Sequence, residues 1–155
     1  MLIQNKHIAI VGAGPGGLTL ARLLQLKGVN VKVYERDINK DARVQGSPLD
    51  MHEGSGLTAI IKAELSDQFR KNIHHGADKK IIVNEQAEII FSDHGIEPTK
   101  EAPNPEIDRG VLRKIFLDSL QPQTVVWNSQ FISLENRITA GYCILRTVRL
   151  HTQIL

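Results

Sequence analysis

Six consecutive residues, Gly12-Ala13-Gly14-Pro15-Gly16-Gly17, constrain this chain more than any other stretch. Before them stands His7-Ile8-Ala9-Ile10-Val11, a short and almost continuous apolar run with β-branched residues. That is the pattern of a buried parallel strand. After them, residues 18–27 read as a helix, with Leu20, Ala21 and Leu24 on one face and Gly28 as the stop. Residues 29–34 read as a second strand, closed by Glu35. Strand, glycine turn, helix and strand together fill roughly 30 residues, the length of a βαβ crossover.

The glycines have separate tasks in such a turn. Gly12 permits the tight exit from the strand, and Gly14 lets a pyrophosphate approach the backbone where a Cβ would clash. Gly17 allows the helix to pack closely on the strand. The helix start then offers unpaired N–H groups and the positive end of a dipole to phosphates. Glu35 lies 18 positions beyond Gly17, near the spacing of about 20 expected for a carboxylate on the ribose hydroxyls. A carboxylate there repels a 2′-phosphate. The pattern points to the ADP half of a dinucleotide, and these features alone leave FAD and NAD equally open.

Downstream, residues 36–54 are rich in charge, Gly and Pro and read as a long loop. Residues 55–72 read as a helix whose Leu57, Ile60, Ile61, Leu65 and Phe69 share a face. Ile81-Ile82-Val83 and Glu88-Ile89-Ile90-Phe91 flank a polar turn and predict a hairpin. Residues 97–105 hold three prolines and should be irregular. Asp108 is placed to cap a helix running to Leu120. Thr124-Val125-Val126-Trp127 and Phe131-Ile132-Ser133-Leu134 read as strands, with Trp127 expected in the core. The fold class is therefore α/β, a Rossmann-like βαβ dinucleotide-binding fold.

Charge excludes a nucleic-acid partner. Residues 137–155 carry three arginines and no acid, whereas the other 136 residues carry 16 Lys+Arg against 17 Asp+Glu. The body is near neutral and the basic balance belongs to the tail. No run approaches the roughly 18 apolar residues of a membrane span, and no secretory signal opens the chain. The single cysteine, Cys143, excludes an internal disulfide, so a cytoplasmic location is expected. His74-His75 lack further ligands at metal spacing, so no metal site is expected. Ser55 has Glu53, not glycine, two residues before it, which rules out a nucleophile elbow.

From about Lys6 to Asn136 the chain resembles the amino-terminal part of group A FAD-dependent monooxygenases, nearest to the tetracycline-inactivating flavin monooxygenases. The strings that carry the likeness are residues 10–19 (IVGAGPGGLT), residues 33–37 (VYERD), residues 49–56 (LDMHEGSG) and residues 104–109 (NPEIDR), with Leu112-Arg113 following. The resemblance implies FAD as the cofactor and NADPH as a transient reductant. It also implies hydroxylation of a small aromatic or tetracycline-type substrate, with no catalytic acid–base pair supplied by the protein. Carried onto matching positions, Glu35 binds the adenosine ribose and Arg36 lies beside the adenine or its phosphates. Arg43 matches a position associated with NADPH. Asp50 and Arg109 match FAD contacts, and Arg113 is a further contact on the flavin side.

Beyond Asn136 the likeness stops. The expected division is an FAD-binding portion, 1–136, and an unmatched tail, 137–155, in the manner of a frameshift or truncation. A second flavin motif is absent from these 155 residues, so the fold is expected to be incomplete and the chain inactive alone. Two other classes stay open, a fragment of an NAD-dependent dehydrogenase and a non-enzymatic remnant that keeps the nucleotide turn.

Overall fold

The computed structural model describes residues 7–42, 46–74, 80–93, 104–137 and 140–147. The elements in chain order are β1 (His7–Val11), α1 (Pro15–Leu26), β2 (Asn30–Tyr34), β3 (Leu49–Asp50), α2 (Gly56–Lys62), α3 (Ser66–Arg70), β4 (Ile81–Val83) and β5 (Ile89–Ser92). They continue with β6 (Glu106–Ile107), α4 (Arg109–Ser119), β7 (Val125–Val126), β8 (Ser129–Arg137) and β9 (Ala140–Thr147). The chain divides into two compact units, Met1–Gln45 with Phe116–Leu155, and Gly46–Ile115.

The first unit is built on a parallel sheet of order β1-β2-β7. His7 to Val11 pair in step with Asn30 to Tyr34, and Val33 and Tyr34 pair with Val125 and Val126. The βαβ crossover read from the sequence is therefore present, with α1 beginning at Pro15 rather than Leu18. Proline suits the first helical position, where its missing N–H costs nothing. Leu18 and Ala21 are the buried residues of α1, whereas Leu20 is 48% exposed. The apolar face is thus rotated from the expected one, because the earlier start and the sheet beneath α1 select positions 18 and 21. Gly28 does end the helix. Its φ is +70°, its N–H donates to the Gln25 carbonyl at 2.9 Å, and the Val29 N–H reaches back to Leu24 at 3.0 Å. Those two bonds make a Schellman cap.

Two side chains tie α1 to the end of α4 and the link that leads into β7. Arg22 donates to the Ser119 carbonyl at 3.0 Å, satisfying the C-terminal end of α4. Gln25 donates to Thr124 Oγ1 at 2.7 Å and accepts from the Gln121 N–H at 3.1 Å. Trp127 is half-buried, not in the core as expected, because the chain turns at Asn128 (φ +55°) immediately after it. β8 then crosses residue 136 and pairs antiparallel with β9, Arg137 facing Ala140. The hairpin therefore spans the boundary that the sequence suggested between 1–136 and 137–155.

The loop expected over residues 36–54 is interrupted in the second unit. Leu49 and Asp50 pair antiparallel with Ile107 and Glu106. The single helix expected over 55–72 is two, α2 and α3, broken at Glu64 with φ +60°. Here the Glu64 N–H donates to Ile61 at 3.0 Å and the Leu65 N–H to Ile60 at 3.1 Å, the same cap as at Gly28 but without glycine. The break turns Leu65 and Phe69 inward (3% and 4% exposed) and leaves Ile61 outside. The predicted hairpin is present as β4 and β5. Asn84 organises its turn, its side-chain oxygen accepting from the Gln86 and Glu88 N–H groups at 3.1 and 2.9 Å. Of the proline-rich stretch 97–105, residues 97–103 lie outside the described residues.

Candidate functional site

The glycine turn sits at the carboxyl end of β1, where open α/β sheets bind ligands. Gly12 has φ +95°, and its N–H donates to the Tyr34 carbonyl at 2.8 Å, so the turn is tied to the end of β2. A Cβ built on Gly17 would run into the Gly12 carbonyl oxygen and press on Ile10. Glycine is required at both places by the protein itself. Gly14 differs. It caps α1 in an ordinary extended conformation, φ −77° and ψ 172°, and a Cβ there would meet nothing within 4 Å among the described residues. Neither backbone nor packing asks for glycine at position 14. The open space beside position 14 leaves room for the close approach of a ligand such as a pyrophosphate.

Gly14 caps α1 without a side-chain hydrogen bond, and no acidic residue lies in the first turn. The amides of Gly16 and Gly17, at the start of α1, have no acceptor within the helix. They leave the positive end of the dipole available to an anion.

Glu35 is the pivot of the arrangement. It is 4% exposed, and its carboxylate turns back into the glycine crevice. Oε2 accepts from the Ala13 N–H at 2.6 Å, and Oε1 accepts from the Asp37 N–H at 3.0 Å. Its backbone is held on both sides, N–H to Val126 at 2.9 Å and carbonyl from the Ser129 N–H at 2.7 Å. An ionised carboxylate accepts at about four lone-pair sites, so it can serve these amides and still receive ribose hydroxyls. The Ala13 amide, absent from the residues singled out in the sequence, is what fixes the rotamer. Only its place between two required glycines hinted at it. Arg36, next in the chain, is exposed, and Arg43 lies outside the described residues.

The second unit gathers the other candidates. The β3–β6 ladder brings the string 49–56 against the string 104–109, with Asp50 facing Glu106 and the Met51 N–H donating to the Pro105 carbonyl at 3.0 Å. Ile107 is fully buried, so the chain enters α4 from a fixed point. His74 braces the same junction. Its N–H donates to the Glu106 carbonyl at 2.8 Å, and its Nε2 lies 3.3 Å from Asp108 Oδ2. Asp108 therefore pairs with His74, and its carbonyl accepts the first helical bond from Leu112 at 2.8 Å. Arg109 and Arg113 follow one turn apart on one face of α4. Arg113 is 4% exposed, and Arg109 buries an Nε that meets no hydrogen-bond partner among the described residues. A buried donor of that kind is suited to an anionic or carbonyl acceptor from a ligand. Asp50 is exposed.

Gly12, Gly14, Gly17 and Glu35 thus form one cluster, in the first unit. Asp50 and Arg109, 59 positions apart in the chain, are joined through one ladder, in the second. Among the described residues no group of three or more His, Cys, Asp or Glu could hold a metal ion. No described helix is long and apolar enough to cross a membrane.

The sequence profile of the FAD binding domain family matches residues 5–109. Monooxygenase penA of Penicillium thymicola is 31% identical over 132 residues, covering 82% of this chain and 29% of that protein. In three dimensions the chain is similar to the tetracycline destructase Tet(51), with a TM-score of 0.61 and 20% identity over 92% of this chain and 35% of that one. It is likewise similar to Klebsiella pneumoniae HpxO, solved with FAD and uric acid, with a TM-score of 0.66 and 16% identity over 90% of this chain and 35% of that one. The chain spans about three tenths of the length of the curated relatives it matches.

Proposed function

Because this chain belongs to the FAD binding domain family, as the FAD-binding portion of FAD-dependent monooxygenases, we propose that its glycine crevice holds the ADP half of FAD in a defined way. The amides at the start of α1 bind the pyrophosphate, and Glu35 accepts hydrogen bonds from the adenosine ribose. Arg36, exposed beside Glu35, lies along the adenine or its phosphates. Arg109 and Arg113 supply charge-assisted donors to the flavin side, and Asp50 orients that end from β3. Bound FAD supplies the redox and oxygen chemistry. The residues of this chain bind and orient it. Arg43 meets NADPH, the transient reductant, during turnover.

The observation that carries this proposal is Gly14, a glycine whose conformation and surroundings give the protein no need of one. Gly14→Ala is therefore the decisive variant. It should change stability by no more than about 1 kcal/mol, the usual range for this capping position. It should weaken FAD binding at least about tenfold, equivalent to about 1.4 kcal/mol. A titration of FAD fluorescence beside a melting curve measures both. Unchanged FAD affinity in Gly14→Ala would sink the proposal.

Substrate and activity belong to proteins of the relatives' full length, and there we propose hydroxylation of a small aromatic or tetracycline-type molecule. The support is the pair of strings at 49–56 and 104–109, which the β3–β6 ladder joins. Loss of tetracycline absorbance under NADPH, catalysed by a full-length protein carrying these 155 residues, is the expected result. NADPH oxidation without loss of the tetracycline would direct the search to other aromatic substrates.

A further inference from the structure

Trp127 is the only tryptophan of the chain and stands half-buried at the carboxyl end of the parallel sheet. Tyr34 pairs with Val126, and the Glu35 N–H donates to the Val126 carbonyl at 2.9 Å. One step further along both strands, Trp127 falls beside Glu35. Partners across a ladder share a face, so the indole leaves the sheet on the side that the Glu35 side chain does. Tyr34, which precedes Glu35 in β2, is turned to the opposite face by the same alternation. Past this point the pairing is irregular. A regular parallel ladder would give the Glu35 carbonyl to the Asn128 N–H. Here the Ser129 N–H takes that carbonyl at 2.7 Å, and the Asn128 N–H reaches the Asp37 carbonyl at 2.7 Å, with Asn128 at φ +55°. Three backbone bonds thus clamp residues 126–129 onto residues 35–37, all within the first unit. They fix the place of Trp127 beside Glu35 and the exposed Arg36.

We propose, resting on the reading of Glu35 as the carboxylate for the adenosine ribose, that the indole of Trp127 is the wall against which the adenine stacks. The base is joined directly to that sugar, so holding the ribose at Glu35 brings the adenine to the side chains beside Glu35. Trp127 is the aromatic one among those on the same face of the sheet. A purine presents a flat π surface, and stacking it on an aromatic ring requires no pattern of donors and acceptors. Indole offers a large contact area with few rotatable bonds. The clamp sets its backbone before a ligand arrives, so little freedom is lost on binding. The Arg36 guanidinium, next in the chain to Glu35, is a second planar group suited to the same ring. An indole left partly open at this end of the sheet, where α/β folds bind their ligands, has a use there that a core tryptophan does not.

The test is a titration of the full 155-residue chain with ADP, which carries adenine, ribose and pyrophosphate but no flavin to absorb tryptophan emission. With one tryptophan in the chain, the fluorescence reports this position alone. ADP should quench the emission with the same dissociation constant that calorimetry gives, and inorganic pyrophosphate should leave it unchanged. Trp127→Ala should weaken ADP binding about tenfold, within the range of base–aromatic stacking, and leave the affinity for inorganic pyrophosphate as it was. Trp127→Phe, which keeps a ring, should recover most of that loss. The emission titration needs no variant, so it decides the matter even where Trp127→Ala lowers the melting temperature. ADP binding that leaves the emission unchanged, or that is as tight in Trp127→Ala, overturns the proposal. If that binding is still lost in Gly14→Ala, the glycine crevice keeps its role and only the adenine wall falls. Failure of ADP to bind at all overturns both.

Discussion

Three glycines of one motif answer to three different physical demands. Gly17→Ala must push the Gly12 carbonyl out of the crevice, because the added Cβ has no room between that oxygen and Ile10. The cost expected for such overpacking is about 1–3 kcal/mol, to be read as a fall in melting temperature without any cofactor present. Gly14→Ala, by contrast, should spare the fold and lose the ligand. Glu35 stands between these cases, since it serves the protein and the cofactor together. Glu35→Gln keeps one acceptor oxygen and turns an NH2 toward one of the two amides, from Ala13 and Asp37, that the carboxylate now receives. A buried donor left unmet costs about 1–3 kcal/mol, so the variant should melt lower even in the absence of FAD. An unchanged melting temperature would mean that Glu35 is no part of the turn's own framework.

At the scale of elements, two helices end in the same cap with different residues in the left-handed position. Gly28 closes α1 at φ +70°, and Glu64 closes α2 at φ +60°. A side chain in that conformation is disfavoured by roughly 1–2 kcal/mol. Gly28→Ala should therefore destabilise by about 1 kcal/mol, and Glu64→Gly should stabilise by a similar amount. Chemical denaturation of the two variants checks both signs. The Glu64 cap also explains why two helices stand where one was expected. The periodicity of residues 57–69 continues through the break, and no Gly or Pro announces it. The β3–β6 ladder was hidden for another reason. Two-residue strands are too short to show alternation, and their partners lie more than fifty positions apart.

For the whole molecule, the parallel sheet has β1, the strand bearing the glycine turn, at its edge. In doubly wound folds the crevice lies where strand order reverses, with strands on both sides of the first. Among the described residues only β2 lies beside β1. FAD should accordingly bind weakly, protecting the chain from thermal unfolding more than NAD does but not co-purifying at full occupancy. Melting curves with each cofactor and a flavin absorption spectrum of the purified chain decide this. A stoichiometric yellow protein with NADPH oxidase activity would contradict it.

The sequence by itself determined the βαβ crossover, the glycine turn, the closing carboxylate, the β4–β5 hairpin and the helix after Asp108. Each of these is written in neighbouring residues, through periodicity, capping or the freedom of glycine. Tertiary structure alone decided which face α1 buries, that Glu35 turns inward onto the Ala13 amide, and that Asp50 pairs with Glu106, three residues before Arg109. Those outcomes depend on contacts between segments distant in the chain, and local pattern does not encode which distant backbone group will be the partner.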